Sequence, residues 1–306
     1  MVIGQVTLGG RRLRGDAVDR PPKRGLIKPV MPRKFVISPT KLRIFSRCPA
    51  EYRLEYIDKI GRFYHRARAG FAFGHSLHRA LETFHAAGGA DAVTPETLAE
   101  TLETAWIAKG YAGDTEEAGF KAEGIRILAD YHAVQVEQKQ VADAEAQEKN
   151  EPLPEPPRLF LAEKALRLDL TPDIALTGRV DRVDEHPAQN NALEIVDYKS
   201  GRSTVTPGDV SESVAMNTYQ AILGTNHPDR RVFATIVALR TGASASYEMS
   251  ADERESFLAD VTETGEIIRT KDWENVLPVI NDHCPYCDFL PHCETFWARR
   301  RRASFP

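Results

Sequence analysis

The sequence predicts a mixed α/β fold with a helical N-terminal region, a β-rich core and a short cysteine-bearing C-terminal segment. Three observations predict it. Over residues 38–145, apolar side chains recur at helical spacing between Gly and Pro breaks. Over 158–240 the pattern changes to short Val-, Ile- and Leu-rich runs separated by turn residues. Three of the four cysteines, Cys284, Cys287 and Cys293, then fall close together near the C-terminus.

The 306 residues, 42% apolar and 27% charged, suffice for one large domain with its own core. Residues 1–34 form an expected flexible basic arm, with Arg11, Arg12, Arg14, Arg20, Lys23, Arg24, Lys28, Arg33 and Lys34 against only Asp16 and Asp19. The single domain is expected over 35–306. Its helical part starts at Ser38-Pro39, where Ser suits an N-cap and Pro the first helical position. Leu42, Phe45, Tyr52, Leu54 and Tyr56 continue an apolar face that Pro49 interrupts. Further helices are expected at about 71–87, ending on Gly88-Gly89, and at about 94–109 and 116–140. Residues 146–157, with four prolines, read as a linker.

In the core of 158–240, runs at about 159–170, 174–185 and 192–199 read as consecutive antiparallel strands. A helix at about 211–224 and a strand at about 231–240 complete that core. A helix over 251–270 and the cysteine cluster occupy 250–302. There is no internal repeat. No apolar run approaches the ~20 residues of a membrane span, and the N-terminus lacks the apolar region of a secretory signal. A cytoplasmic chain with no membrane partner is expected.

The net charge of −4 excludes a uniformly basic nucleic-acid coat, but its distribution is uneven. The basic arm and Arg299, Arg300, Arg301 and Arg302 flank a strongly acidic stretch at about 91–155. Two basic ends suit phosphate contacts, because neutralising phosphates releases counterions.

The sharpest local signal is Ile195-Val196-Asp197-Tyr198-Lys199-Ser200-Gly201. Residues two apart on a strand share a face, so Leu193, Ile195, Asp197 and Lys199 point together. A carboxylate there can bind a hard divalent cation, and the ammonium can orient water or steady charge on phosphorus. Alone, the fragment reads more readily as an exposed ion pair at a strand end. The preceding strand, Gly178-Arg179-Val180-Asp181-Arg182-Val183-Asp184, changes this, because the turn-rich loop before residue 192 lets a hairpin bring Asp181 to Asp197. Two adjacent carboxylates repel unless a cation lies between them. On the helix near residue 78, Gly74, His78 and Glu82 share one face; Gly74 permits close approach, and neutral His78 can complete a coordination shell. His75 and His85 are read as structural.

The four cysteines offer two chemistries. Cys284-Pro285-Tyr286-Cys287 and Cys293 form a compact loop, and Cys48 lies far away in Ser46-Arg47-Cys48-Pro49. Zinc accepts four thiolates, with His283 or His292 as substitutes, and spacing alone favours it. Iron–sulfur clusters also take four thiolates. In a reducing compartment such a pattern points to metal before disulfides.

The ordered set Gly74-x-x-x-His78-x-x-Leu81-Glu82, then Gly178-x-x-Asp181, then Asp197-Tyr198-Lys199-Ser200-Gly201, resembles the RecB-like branch of the PD-(D/E)XK nucleases over residues 38–297. The resemblance implies a mixed β-sheet restriction-endonuclease-like core in which His78, Asp181, Asp197 and the Tyr198 carbonyl ligate Mg2+ or Mn2+. Lys199 is then the catalytic lysine. The family also carries a Gln followed four residues later by Tyr; Gln220 matches the Gln, and Gly224 stands where the aromatic falls. Gln220 is therefore expected to touch substrate or lysine. A Cys-Pro in the first helix paired with a C-terminal C-x2-C-x5-C is similar to the iron–sulfur members of the branch, AddB-type subunits and CRISPR-associated RecB-like exonucleases. This implies a 4Fe–4S cluster on Cys48, Cys284, Cys287 and Cys293, with Zn2+ the lesser alternative.

The resulting expectation is a metal-dependent DNA exonuclease, acting on single strands or duplex ends in repair, recombination or phage DNA metabolism. No G-x-x-x-x-G-K-[ST] motif is present, so unwinding calls for a helicase or recombination partner. A non-catalytic DNA-binding scaffold with a nuclease-like fold is the alternative; the intact acid–acid–lysine set weighs against it. A redox or metal-handling protein built on the cysteines leaves those residues unexplained.

Overall fold

The computed structural model describes residues 34–293 and Ala298. The expected basic arm, Lys34 excepted, and the arginines at 299–302 lie outside the described residues. Among the described residues, six strands form one mixed sheet. They are β1 (Phe35–Ile37), β2 (Arg158–Asp169), β3 (Ile174–His186), β4 (Ala192–Lys199), β5 (Val232–Ala238) and β6 (Ala243–Tyr247). The order is β1-β3-β4-β5-β6, with β2 also paired to β3.

The β2–β3 and β3–β4 pairs are antiparallel, as the short turns between them require. Asn190 and Asn191 both adopt φ of 56°, the left-handed conformation that Asn tolerates better than most residues and that a tight reversal needs. The β4–β5 pair is parallel because a helical crossover separates the two strands. Two strands were not expected. The three residues of β1 are too few to show alternation and are ordered by parallel pairing with Ile174–Leu176. Strand β6, Ala-Ser-Ala-Ser-Tyr, carries little apolar signal and depends on its antiparallel ladder with β5.

The helices are α1 (Pro39–Arg47), α2 (Pro49–Tyr52), α3 (Ala69–Ala86), α4 (Pro95–Ala105), α5 (Asp114–Glu148), α6 (Pro207–Ser211), α7 (Val214–Asn226) and α8 (Ala251–Thr270). Ser38 caps α1, accepting from the Lys41 amide at 3.3 Å. Helix α5 runs eight residues past the expected end at 140 and enters the expected linker. Its second half, rich in Ala, Glu and Gln, forms helix by propensity and buries only Ala146, so it has no core-facing period to detect. The expected helix at 211–224 is two, each with its own cap. Thr206 and Asp209 form a capping box on α6, and Ser213 caps α7.

Two cores meet at the sheet. On one face Leu193 and Ile195 of β4 pack with Val183, Ile236, and Met216, Ile222 and Leu223 of α7. On the other, Val196 and Tyr198 pack with Phe73, Leu77 and Leu81 of α3, Leu98 and Leu102 of α4, and Ile127 and Leu128 of α5. Strand β4 is thus covered on both sides, which explains its near-continuous apolar run. No described helix is long and apolar enough to cross a membrane.

Candidate active site

Strands β3 and β4 pair from His186↔Ala192 to Arg182↔Val196 and then part. One further step along each strand sets Asp181 against Asp197. The Tyr198 amide, leaving the ladder there, donates to Asp181 Oδ2 at 3.0 Å. Lys199 Nζ lies 2.5 Å from Asp197 Oδ2 and is half exposed at the strand exit. Asp197 is 7% exposed, and its Oδ2 has no aligned hydrogen-bond partner among the described residues.

Helix α3 delivers His78 from the other side. Its Nε2 lies 2.9 Å from the Tyr198 carbonyl and its Nδ1 3.2 Å from Asp181 Oδ2. Gly74, one turn earlier, makes the approach possible, because a Cβ there would stand 2.9 Å from Ser200 Oγ in the loop after Lys199. The structure therefore brings together His78, Asp181, Asp197, the Tyr198 carbonyl and Lys199, all singled out from the sequence.

It adds Glu163. One ligand atom each from His78, Glu163 and Asp181 lie within 4.8 Å of one another. Glu163 sits in β2 between the pairs Ala162↔Arg182 and Lys164↔Val180, which puts it level with Asp181. Its φ of 45° is left-handed in mid-strand, a strained conformation of the kind that gathers at functional sites. Arg179 Nε donates to its Oε2 at 2.6 Å. The available signal was an acid in the strand preceding Gly178-x-x-Asp181.

Burial favours neutral forms here, and local partners decide each group. It works against a charged His78, but the hydrogen bond and charge of Asp181, then Asp197 and the Tyr198 carbonyl, outweigh it and raise the imidazole pKa. Burial also opposes ionised Asp181, which His78, the Tyr198 amide and Lys199 nonetheless hold below the usual carboxylate range. For Asp197, burial and the repulsion of Asp181 win over Lys199, and its pKa rises. A second buried carboxylate resists charging beside the first. A divalent cation relieves that repulsion, and the unaligned Asp197 Oδ2 offers it a lone pair. The residues present therefore fit such an ion.

Gln220 does not join this group. Its Oε1 accepts from the Met249 amide at 2.9 Å. The neighbouring Tyr219 faces the acids instead: burial and then the charges of Asp197, Asp181 and Glu163 hold its phenol well above the usual value. Gly178 makes room for this ring, since a Cβ there would lie 2.4 Å from Tyr219 Cε1.

A buried network lies beneath. Arg182 Nη1 donates to the hydroxyls of Tyr198 at 2.5 Å and Tyr131 at 3.0 Å, and also to the His85 ring. An Arg only donates, so the nitrogen it meets must be an acceptor and His85 is neutral. Burial and the Arg182 charge push His85 down to about 2. Read from the sequence as structural, His85 anchors the residue whose carbonyl faces His78.

At the other end of the chain, Asn281 Nδ2 donates to the Arg47 carbonyl at 3.0 Å, tying the C-terminal loop to the turn that carries Cys48. Cys284 Sγ accepts from the Asn281 amide at 3.3 Å, and burial pushes the Cys287 thiol up to about 11. Among the described residues, no three of the four sulfurs lie within 4.8 Å of one another.

A family model of the PD-(D/E)XK nuclease superfamily matches residues 36–294. The chain belongs to the PD-(D/E)XK nuclease superfamily. Membership agrees with the mixed sheet and its flanking helices, and it implies a metal-dependent nuclease with DNA as substrate. Among solved structures, SSO0001 is similar at 12% identity over 58% of this chain and 77% of its own, with a TM-score of 0.26. No curated protein matches the chain.

Proposed function

We propose that this PD-(D/E)XK nuclease is a RecB-like, Mg2+- or Mn2+-dependent DNA exonuclease acting on single strands or duplex ends. The observation that carries the reading is the convergence of His78, Asp181, Asp197 and Lys199 where β3 and β4 part. Glu163, His78, Asp181, Asp197 and the Tyr198 carbonyl supply an oxygen-rich ligand set with one imidazole, suited to a hard cation. Such an ion, when bound, acidifies water and offsets charge on the leaving oxygen. Lys199 reaches out of the strand end, where its ammonium orients the nucleophile and steadies charge developing on the phosphate. Tyr219 closes the floor beside the acids. The Arg182–Tyr198–His85 network holds the Tyr198 backbone in place.

Basic residues of the arm and of 299–302 extend the phosphate contacts. A helicase or recombination partner in the cytoplasm supplies unwound strands. The test is cleavage of end-labelled oligonucleotides blocked at the 5′ or the 3′ terminus, with Mg2+, Mn2+ or EDTA. Mononucleotides released from one open end in metal alone are expected; cleavage surviving EDTA, or circular DNA cut as fast as linear, overturns the reading.

A 4Fe–4S cluster held by Cys48, Cys284, Cys287 and Cys293 belongs to the same proposal, with Zn2+ as the competing occupant. The Asn281–Arg47 bond supports it, since it ties the loop of Cys284 and Cys287 to the turn that carries Cys48. Joining residue 48 to residue 284 closes a long loop, and binding energy there is folding energy. Anaerobic purification should yield a brown protein with iron and acid-labile sulfide, and Cys48→Ser should lose both colour and melting temperature. A colourless zinc protein would assign the site to zinc.

A further inference from the structure

Gln220 needs another explanation, and the cavity beside it provides one. A space of about 400 Å³ lies between the middle of α7, the start of β5 and the N-terminus of α8. Gln220, Arg230, Arg231, Arg254, Ser250 and Ala251 are among its lining residues. It sits at the first residue of β5, down the strand from the acids. Strands β4 and β5 run parallel, with Leu193 level with the cavity-lining Val232 and Asp197 level with Ile236, so four residues at ~3.3 Å each put about 13 Å between cavity and acid along the strands.

Three features give this cavity the chemistry of an anion site. First, Gln220 is 2% exposed, and its Oε1 accepts from the Met249 amide. That bond fixes the amide so that Nε2 is the remaining donor, and Nε2 has no partner among the described residues. A buried donor left without an acceptor is costly, and an anion oxygen supplies one. Second, α8 is a 20-residue helix whose capping box occupies the Ser250 and Glu253 amides. The Ala251 and Asp252 amides remain for a ligand, backed by the positive end of the helix dipole. Third, the cations are not all spent. Arg230 is paired with Glu185 at 2.6 Å and Arg231 with Glu248 at 2.7 Å. Arg254 makes no ion pair or side-chain hydrogen bond among the described residues. Its guanidinium lies over Gly224, where a Cβ would come within 2.6 Å of Nη1. A side chain at 224 would therefore displace it.

We infer that this cavity binds a phosphate group, with Gln220 Nε2, Arg254 and the first amides of α8 as donors. The group comes either from a free mononucleotide or from the backbone of a bound DNA strand. The site is separate from the metal-ligand set, so it is tested without divalent metal and stands or falls independently of nuclease activity.

Titration calorimetry with inorganic phosphate and with deoxyadenosine 5′-monophosphate is run on the wild-type chain, Arg254→Ala and Gln220→Glu. The glutamate keeps the acceptor for Met249 and replaces the donor with a negative charge. Binding to a blocked oligonucleotide is followed against salt in parallel. If a mononucleotide is the ligand, wild type binds it saturably, both variants bind at least tenfold more weakly, and the oligonucleotide salt slope is unchanged. If a strand phosphate is the ligand, Arg254→Ala lowers the salt slope by about one, the value expected for one lost phosphate contact. Mononucleotide affinity equal in all three proteins, or no saturable binding together with an unchanged salt slope, overturns the inference.

Discussion

The two ends of strand β4 carry the same kind of side chain in opposite circumstances. At its start, Glu194 is half-buried between partners, with His186 Nε2 at 2.7 Å and the Thr235 hydroxyl donating at 2.5 Å. Burial pushes its pKa up, and those two bonds outweigh burial, so Glu194 ends below the usual carboxylate range. At the exit, Asp197 is more deeply buried and faces Asp181, with Lys199 as its ion-pair partner, and its pKa rises. One end is balanced by the chain itself. At the other, two carboxylates stand together and Asp197 Oδ2 lacks an aligned hydrogen-bond donor, which is the arrangement of a site that receives a cation.

The largest expected effect breaks the contrast at the exit. Asp197→Asn should reduce metal-dependent cleavage ~10³-fold, about 4 kcal/mol of transition-state stabilisation. The same substitution should raise the metal-free melting temperature near pH 7. The sign follows from linkage: a carboxyl whose folded pKa lies above its unfolded value loses stability as pH rises through the unfolded value, and the amide removes that loss. Mn2+ should raise the melting temperature of wild type and not of Asp197→Asn. A variant that keeps activity, or that melts lower without metal, would unseat the comparison.

Glu194→Gln should do the reverse. Its folded pKa is depressed, so its contribution is present above the unfolded value and disappears as pH falls through the folded one. The substitution should cost about 1.5–3 kcal/mol in urea unfolding at pH 7, as for hydrogen bonds to a charged group. Cleavage below the melting transition should be unchanged.

The smallest effect concerns the network that supports Tyr198. His85 stays neutral in the fold down to about 2, whereas an unfolded histidine takes up a proton near ~6.5. Stability should therefore fall as pH drops below the unfolded value, because the unfolded chain binds one proton more. His85→Gln should flatten the acid limb of unfolding free energy by one proton's worth of slope. An unchanged slope would show that His85 is not held neutral.

Much of the site was legible in the residues. Asp181, Asp197 and Lys199 follow from two-residue alternation on adjacent strands and a turn short enough to make a hairpin. His78 came from helical spacing together with the family pattern. Glu163 escaped because one acid in a charged strand, between Ala162 and Lys164, carries no periodic signature; only the β2–β3 register sets it level with Asp181. That Tyr219 and not Gln220 faces the acids escaped for a related reason. Adjacent helical residues point about 100° apart, and which of them faces the sheet is set by packing against Gly178.

The sequence by itself determined the class of fold, the strands at 158–199, the cap of α1 and the identity of Asp181 and Asp197. These depend on local spacing and on side-chain chemistry that acts within a few residues. Tertiary structure decided what depends on closure between distant segments: β1 and β6, the partner of Gln220, the neutral state of His85 and the meeting of residue 48 with the C-terminal loop. The pKa values of Asp197 and Glu194 belong to that second group, because burial and neighbours contributed from other elements set them, and no property of the residue itself does.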